Sequence, residues 1–187
     1  MGNRHTTTLP GVLLSLDNCG VLLRGPSGSG KSELALSLLD RGHQLIADDS
    51  VHIIRQQEKL IGYAVNSLAS GFIETRNLGV LNAAKLFGEH AVAESAVLAL
   101  IVELQHNNET HDRLTGDYHT TSLLGITVNQ IFLPPSPSRR LDLLVEIALR
   151  QCQLRSETNY DSRQHFCQQQ QLMMTEQYKD EVHDHLE

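Results

Sequence analysis

An α/β fold with a mixed sheet is what this 187-residue chain predicts, on three observations. Two short apolar runs, Val12 to Leu16 and Val21 to Arg24, flank Asp17-Asn18-Cys19-Gly20. Asx residues followed by glycine make that gap a hairpin turn, so these two strands are antiparallel. The second run leads directly into a glycine-rich segment and then a helical pattern, a strand–loop–helix unit that favours parallel neighbours. Farther on, Val97 to Leu104 is a nearly continuous apolar run, as expected of a strand covered on both faces.

The elements follow in order. Lys31 to Arg41 places Leu34/Leu38 and Ala35/Leu39 at i,i+4 and is followed by Gly42, the pattern of an amphipathic helix stopped by a C-terminal glycine. Leu45-Ile46-Ala47 forms a short strand ending in Asp48-Asp49, and Val51 to Ile54 continues the sheet. Gln105 to Thr121 reads as a polar loop, and Ile126 to Leu133 as a further strand. Pro134-Pro135-Ser136-Pro137-Ser138 is a stiff connection in which Ser136 caps a helix with Pro137 at its first position. That helix puts Leu141, Leu144, Val145, Ala148 and Cys152 on one stripe. From Gln164 the composition shifts to a glutamine run and mixed polar residues. The chain therefore divides into one domain over residues 1–163 and a polar tail over 164–187, a frayed helix or disordered.

Composition excludes several classes. Apolar residues are 40% of the chain and charged residues 20%, which fits neither a disordered chain nor a membrane protein. A net charge of −7 argues against general nucleic-acid binding, which needs clustered positive charge. No apolar run is long enough for a membrane-spanning helix, and Met1 to Thr6 lacks the apolar core of a signal peptide, so a cytoplasmic protein is expected. Cys19, Cys152 and Cys167 form neither a disulfide framework nor a paired metal site. The ten histidines, with His106, His111 and His119 in the polar loop, read as solvated residues.

The chemistry is carried by Gly25-Pro26-Ser27-Gly28-Ser29-Gly30-Lys31-Ser32, which fits G-x-x-x-x-G-K-[ST]. Its glycines let backbone N–H groups wrap phosphate oxygens, and the helix that follows aims its positive dipole end at the same anion. Lys31 neutralises the outer phosphates and the Ser32 hydroxyl ligates magnesium. A P-loop nucleotide-binding domain follows, against the bland alternative of a flexible Gly/Ser loop. Asp48 and Asp49 lie beyond it at a strand end, where a carboxylate can hold magnesium or accept a proton from an attacking hydroxyl. In a regular strand the two would point opposite ways and do different jobs, unless the strand has ended. Standing alone they would read as a solvated turn. Glu74 and Arg76, if extended, share a face, which suits a metal ligand beside a phosphate clamp; alone they would read as an edge-strand ion pair.

Taken in order, the hairpin, GPSGSGKS, Asp40-Arg41-Gly42-His43, Leu45-Ile46-Ala47-Asp48-Asp49, Glu74-x-Arg76-x-Leu78-Gly79 and Leu86-Phe87-Gly88 resemble the catalytic domain of HPr kinase/phosphorylase. Asp112-Arg113-Leu114 and the Pro134 to Arg139 loop continue the match, which spans about residues 10 to 163. The resemblance implies the HPr kinase/PEP carboxykinase-like P-loop fold, in a short form without the family's N-terminal domain. It implies an enzyme that phosphorylates a serine of the phosphocarrier HPr with ATP and Mg2+ in sugar-uptake regulation, and reverses this by phosphorolysis. Lys31 would bind phosphates, Ser32 and Glu74 would ligate magnesium with Asp48 beside them, and Asp49 would be the base. Arg113 would bind phosphate, Arg76 would be catalytic within the Glu74 to Leu81 region that serves both directions, and the Pro134 to Arg139 loop would matter chiefly for dephosphorylation. A hexamer is the family's assembly. The chain departs at Pro10-Gly11, where the family carries a histidine and a small residue, at Asn77 and at Ser138, each in place of a glycine. Proline cannot shuttle a proton, so Pro10 points to weakened phosphorolysis or to a slowing of both reactions, and Ser138 points to weakened dephosphorylation. The rival readings are a small-metabolite kinase on the same loop and a nucleotide-sensing module with little catalysis.

Overall fold

Two strands that bend in mid-course give the sheet its shape. The computed structural model describes residues 5–66, 70–106, 116–136, 138–158 and 160–184. One bent strand is β1 (Thr6–Pro10) followed by β2 (Val12–Leu16), hinged at Gly11. After β3 (Cys19–Arg24) and α1 (Lys31–Asp40) comes the other, β4 (Gln44–Ala47) and β5 (Ser50–Gln56), hinged at Asp48-Asp49. They pair antiparallel along both arms, β1 with β5 and β2 with β4. The strand order β1-β5-β6-β9-β3-β2-β4, with β6 at Lys59–Ala64 and β9 at Ser95–Glu103, therefore curls back on itself.

Strand β9 is the axis of this curl. Parallel β3 runs along one edge; the other edge is shared by antiparallel β6 over its first half and parallel β11 (Ile126–Phe132) over its second. A separate hairpin, β7 (Phe72–Thr75) and β8 (Gly79–Asn82), leads into the short helix α2 (Ala83–Phe87).

Side-chain alternation then divides the core in two. From β2, Val12, Leu14 and Leu16 pack with Leu34 and Leu38 of α1 and with Val145 and Leu149 of α3 (Leu141–Thr158), while Leu13 faces Ile46, Ile53 and Leu60 inside the curl. A register shift opposite Gly20/Val21 changes the parity of β9, so Ala96 and Leu98 face the curl but Leu100 and Val102 face the helices. This is the strand covered on both faces that its apolar run predicts.

Several expectations are corrected. The first turn is two residues, Asp17 and Asn18, both at positive φ, so Cys19 opens β3, where its sulfur accepts a hydrogen bond from Gln153 of α3 at 3.3 Å. Helix α3 starts at Leu141 and not near Pro137, which lies outside the described residues; the Ser136 carbonyl instead accepts the Arg139 N–H at 3.1 Å. On α3, Leu144 is 38% exposed, and Asp142, Glu146 and Leu149 join the buried stripe. The polar loop ends at a strand, β10 (Tyr118–Leu123), whose His119 ring sits edge-on to Phe132 at 5.4 Å. The described tail residues are helical, forming α4 (Ser162–Asp184). β1, β6, β8 and α2 are additions to the sequence reading.

Candidate active site

The two hinges and the end of β3 meet at one corner of the sheet. Gly11 has φ +146°, and a Cβ there would lie 2.5 Å from the Leu23 carbonyl oxygen, so only glycine lets the β1–β2 bend pass this close to β3. Its N–H donates to the Asp49 carbonyl at 3.1 Å, joining the two hinges. β4 has ended at Ala47 and Asp49 takes φ +70°, a conformation that Asp tolerates better than most residues. Strand alternation therefore no longer applies, and Asp48 and Asp49 line the same cleft.

Their surroundings nevertheless differ. The Asp48 carboxylate accepts the Glu74 N–H at 2.7 Å and the Asp49 N–H at 3.1 Å, tying the end of β4 to β7. Burial pushes the Asp48 carboxyl above its ordinary value, with the charges of Asp49 and Glu74 adding to the rise and the two N–H groups opposing it. Asp49 is exposed at the cleft surface.

Across the cleft, the glycine loop closes the end of β3. A Cβ at Gly25 would meet the Ser29 hydroxyl at 2.8 Å and the Leu104 carbonyl at 3.0 Å, so the loop can only be drawn this tight around glycine. Gly30 occupies the N-cap of α1 without a side-chain cap, which leaves first-turn N–H groups for an anion. The Lys31 ammonium donates to the carbonyls of Gly25 and Pro26, each at 3.0 Å, folded over its own loop. β7 ends at Thr75, so Arg76 leaves the strand and does not share its face with Glu74; its guanidinium instead overhangs the loop, with Nη2 3.3 Å from where a Gly28 Cβ would stand. A cleft of about 750 Å³ thus gathers Lys31, Ser32, Asp48, Asp49, Glu74 and Arg76. A hydroxyl and three carboxylates facing an amide cradle and two cations is a donor set that fits a hard divalent cation on a phosphate chain. Arg113 lies outside the described residues.

Comparison with known proteins identifies the family. A family model described as HPr Serine kinase C-terminal domain matches residues 4–170. The chain belongs to this family. Similar curated proteins include the HPr kinase/phosphorylase of Chromobacterium violaceum, 41% identical over 149 residues, covering 78% of this chain and 47% of that one. That of Neisseria meningitidis serogroup B is 38% identical over 172 residues, covering 89% and 53%. The chain thus spans about half the length of these relatives. The solved structure of the Hpr(Ser) kinase/phosphatase from Coxiella burnetii is similar with a TM-score of 0.75 at 38% identity, covering 86% of this chain and 98% of that one. The P-loop α/β fold with a mixed sheet is confirmed. Among the described residues no helix is long and apolar enough to cross a membrane.

This HPr kinase-family domain also carries two buried charge clusters that motif reading passes over. At the end of β9, Glu103 (side chain 7% exposed) pairs with Arg24 at 3.0 Å and accepts from Gln130 at 3.1 Å, joining the ends of β3, β9 and β11 directly before the glycine loop. The signal was an acid closing the apolar run beside a strand that ends in arginine. At the other end of α1, Arg41 grips Glu146 of α3 with two hydrogen bonds, Nε at 2.7 Å and Nη2 at 2.6 Å, and His43 adds a third at 2.9 Å. These bonds, Arg41 foremost, hold the Glu146 carboxyl down at about 2. The clasp fixes α3 against the loop helix.

Proposed function

We propose that the chain is an ATP- and magnesium-dependent serine kinase acting on an HPr-like phosphocarrier protein, with phosphorolysis as its weaker reverse direction. The observation that supports this best is that a P-loop and a pair of unlike carboxylates, Asp49 and Glu74, face one another across a single cleft. Phosphoryl transfer asks for positioning, charge neutralisation and one proton acceptor, and the cleft supplies each.

Ser32 Oγ and the Glu74 carboxylate would hold magnesium, which when bound draws charge from the phosphate oxygens. Lys31 exchanges its two loop carbonyls for phosphate oxygens, and Arg76, already over Gly28, steadies the transferred group. Asp49 accepts the proton of the substrate serine as its oxygen bonds to the γ-phosphorus and the bond to the β-phosphate oxygen breaks; in phosphorolysis it gives a proton to the leaving serine oxygen as an oxygen of inorganic phosphate bonds to the seryl phosphorus, and pyrophosphate is released. Asp48, its oxygens already serving two backbone N–H groups, acts by holding Glu74 and Asp49 in place more than as a ligand. Arg113 keeps the phosphate-binding role of its motif.

Incubation with HPr, magnesium and γ-labelled ATP tests the reading. Label on a serine of HPr is expected, and label appearing only on small molecules would overturn it. Asp49→Asn should cut turnover by about 10²–10⁴ while nucleotide binding persists; undiminished transfer would remove Asp49 as the base.

A further inference from the structure

Among the described residues three carboxylates are buried, Glu103, Asp142 and Glu146, and the last two serve the Arg41 clasp. Glu103 serves neither the clasp nor the mechanism above. It closes β9 opposite Arg24, the last residue of β3 before the glycine loop. Taking a carboxylate out of water is costly, and an apolar pair of similar volume often holds such a position as well or better. Stability is therefore a poor reason for this charge, and geometry a better one. Arg24 is held at three points. Its carbonyl accepts the Leu104 N–H at 2.8 Å, and its guanidinium meets Glu103 Oε1 at 3.0 Å. Its stem passes the β1–β2 hinge, with Cγ 3.4 Å from where a Gly11 Cβ would stand. The same Glu103 oxygen accepts from Gln130 Nε2 at 3.1 Å, which steadies it from β11.

Both walls of the transfer cleft lead back to this arginine. On one side the next carbonyl, that of Gly25, receives the Lys31 ammonium at 3.0 Å, in a seat without slack because Ser29 and Leu104 crowd Gly25. On the other side the Gly11 N–H holds the Asp49 carbonyl at 3.1 Å. We propose that Glu103 is a positioning residue for phosphoryl transfer: by clamping Arg24 it sets the glycine loop, with Lys31, at a fixed separation from the Asp49 hinge. The inference rests on the kinase reading above for its effect on turnover, and on geometry alone for its effect on Lys31. Glu103 does not line the cleft and acts through Arg24. Misplacing groups that must meet in the transition state by about 1 Å can cost about 10²-fold in rate, so a clamp of little worth to stability can weigh heavily on turnover.

Glu103→Gln keeps the shape of the side chain and removes the charge that holds Arg24. Arg24→Met/Glu103→Met replaces the pair by apolar side chains of similar length, which keeps the site packed. Labelled-phosphate transfer to HPr, below the melting point of each variant, should show kcat lowered about 10- to 100-fold in both. The double variant should nevertheless melt within about 2 °C of the wild type. A merely structural pair predicts wild-type turnover wherever the melting point is kept, and that result overturns the proposal. A second readout needs no turnover. Amine acylation of the nucleotide-free protein, followed by peptide mass spectrometry, compares Lys31 with Lys85, whose side chain is 76% exposed. The ratio of the two rates should rise about three- to tenfold in either variant as the seat of Lys31 on the Gly25 carbonyl loosens. An unchanged ratio overturns the path from Glu103 to Lys31. Should the wild type transfer no phosphate, the kinase reading falls, and the acylation ratio still decides whether Glu103 holds the loop.

Discussion

Gly11→Ala would report directly on how the catalytic corner is held. Two penalties can be read from the structure. At φ +146° an L side chain is strained by about 1–3 kcal/mol. The new Cβ would also stand 2.5 Å from the Leu23 carbonyl oxygen, a backbone atom that cannot swing aside, and 3.1 Å from a Leu22 methyl. Relief requires the β1–β2 bend to move away from β3, and overpacking of this kind costs about 1–3 kcal/mol. A central total of about 4 kcal/mol lowers Tm by about 8–16 °C for a domain of this size. The Gly11 N–H carries the Asp49 carbonyl with it, so the proposed base moves while the glycine loop stays. Turnover, measured by labelled-phosphate transfer below both melting points, should therefore fall by more than Mg·ATP affinity does. A variant melting within about 2 °C of the wild type with undiminished turnover would refute the account of the corner.

The other predictions probe the clasp, the curl and the aspartate pair. Glu146 has its folded pKa lowered to about 2 from 4.5, so its stabilisation is complete above about pH 4.5 and is lost as the pH falls towards 2; denaturant midpoints should drop across that window. Glu146→Gln should flatten that acid limb and cost about 2–3 kcal/mol near pH 7, below the full penalty of a buried pair because Arg41 is 33% exposed. Gly62→Ala would place a methyl 2.4 Å from a Leu13 methyl inside the curl, costing about 1–3 kcal/mol by thermal melt, and less in a Leu13→Ala background because the clash is shared. Asp48→Ala leaves the Glu74 and Asp49 N–H groups unpaired and should lower kcat about tenfold or more with little change in Mg·ATP affinity; parallel loss of both would make Asp48 a metal ligand.

Much of this fold was legible because local chemistry and tertiary demand agree. The α1 stripe and its glycine stop, the β2–β3 hairpin and the doubly covered β9 each follow from a pattern that the core then uses. Much of what escaped depends on contacts distant in sequence. β1 is short and mixed and becomes a strand by pairing with β5, Thr6 opposite Ile54, whereas β6 is a local hairpin partner of β5, Lys59 opposite Gln56, whose mixed composition hides it. Helix α3 buries Glu146 on its apolar stripe, which no periodicity predicts, because Arg41 and His43 arrive from 103 to 105 residues away. The P-loop is legible as a string since one short segment makes the whole cradle. The Arg76 overhang and the Glu103 cluster are made by separate elements and show only in three dimensions.

The aspartate pair shows how neighbouring residues of one type take different work. Asp48 spends both oxygens on backbone N–H groups, and Asp49, turned over at φ +70°, has its side chain at the open cleft. That φ also decides which substitution gives a clean answer. Asparagine tolerates the left-handed region about as well as aspartate, so Asp49→Asn removes the charge and keeps the hinge. Asp49→Ala adds the left-handed penalty of about 1–2 kcal/mol to the loss of the carboxylate and would bend the Gly11 contact. If Asp49 works through its charge, Asp49→Asn and Asp49→Ala lose turnover alike, and only Asp49→Ala melts lower. If its part is to shape the hinge, Asp49→Asn keeps most of its turnover and Asp49→Ala does not. Melting curves and transfer rates on the two variants separate these outcomes.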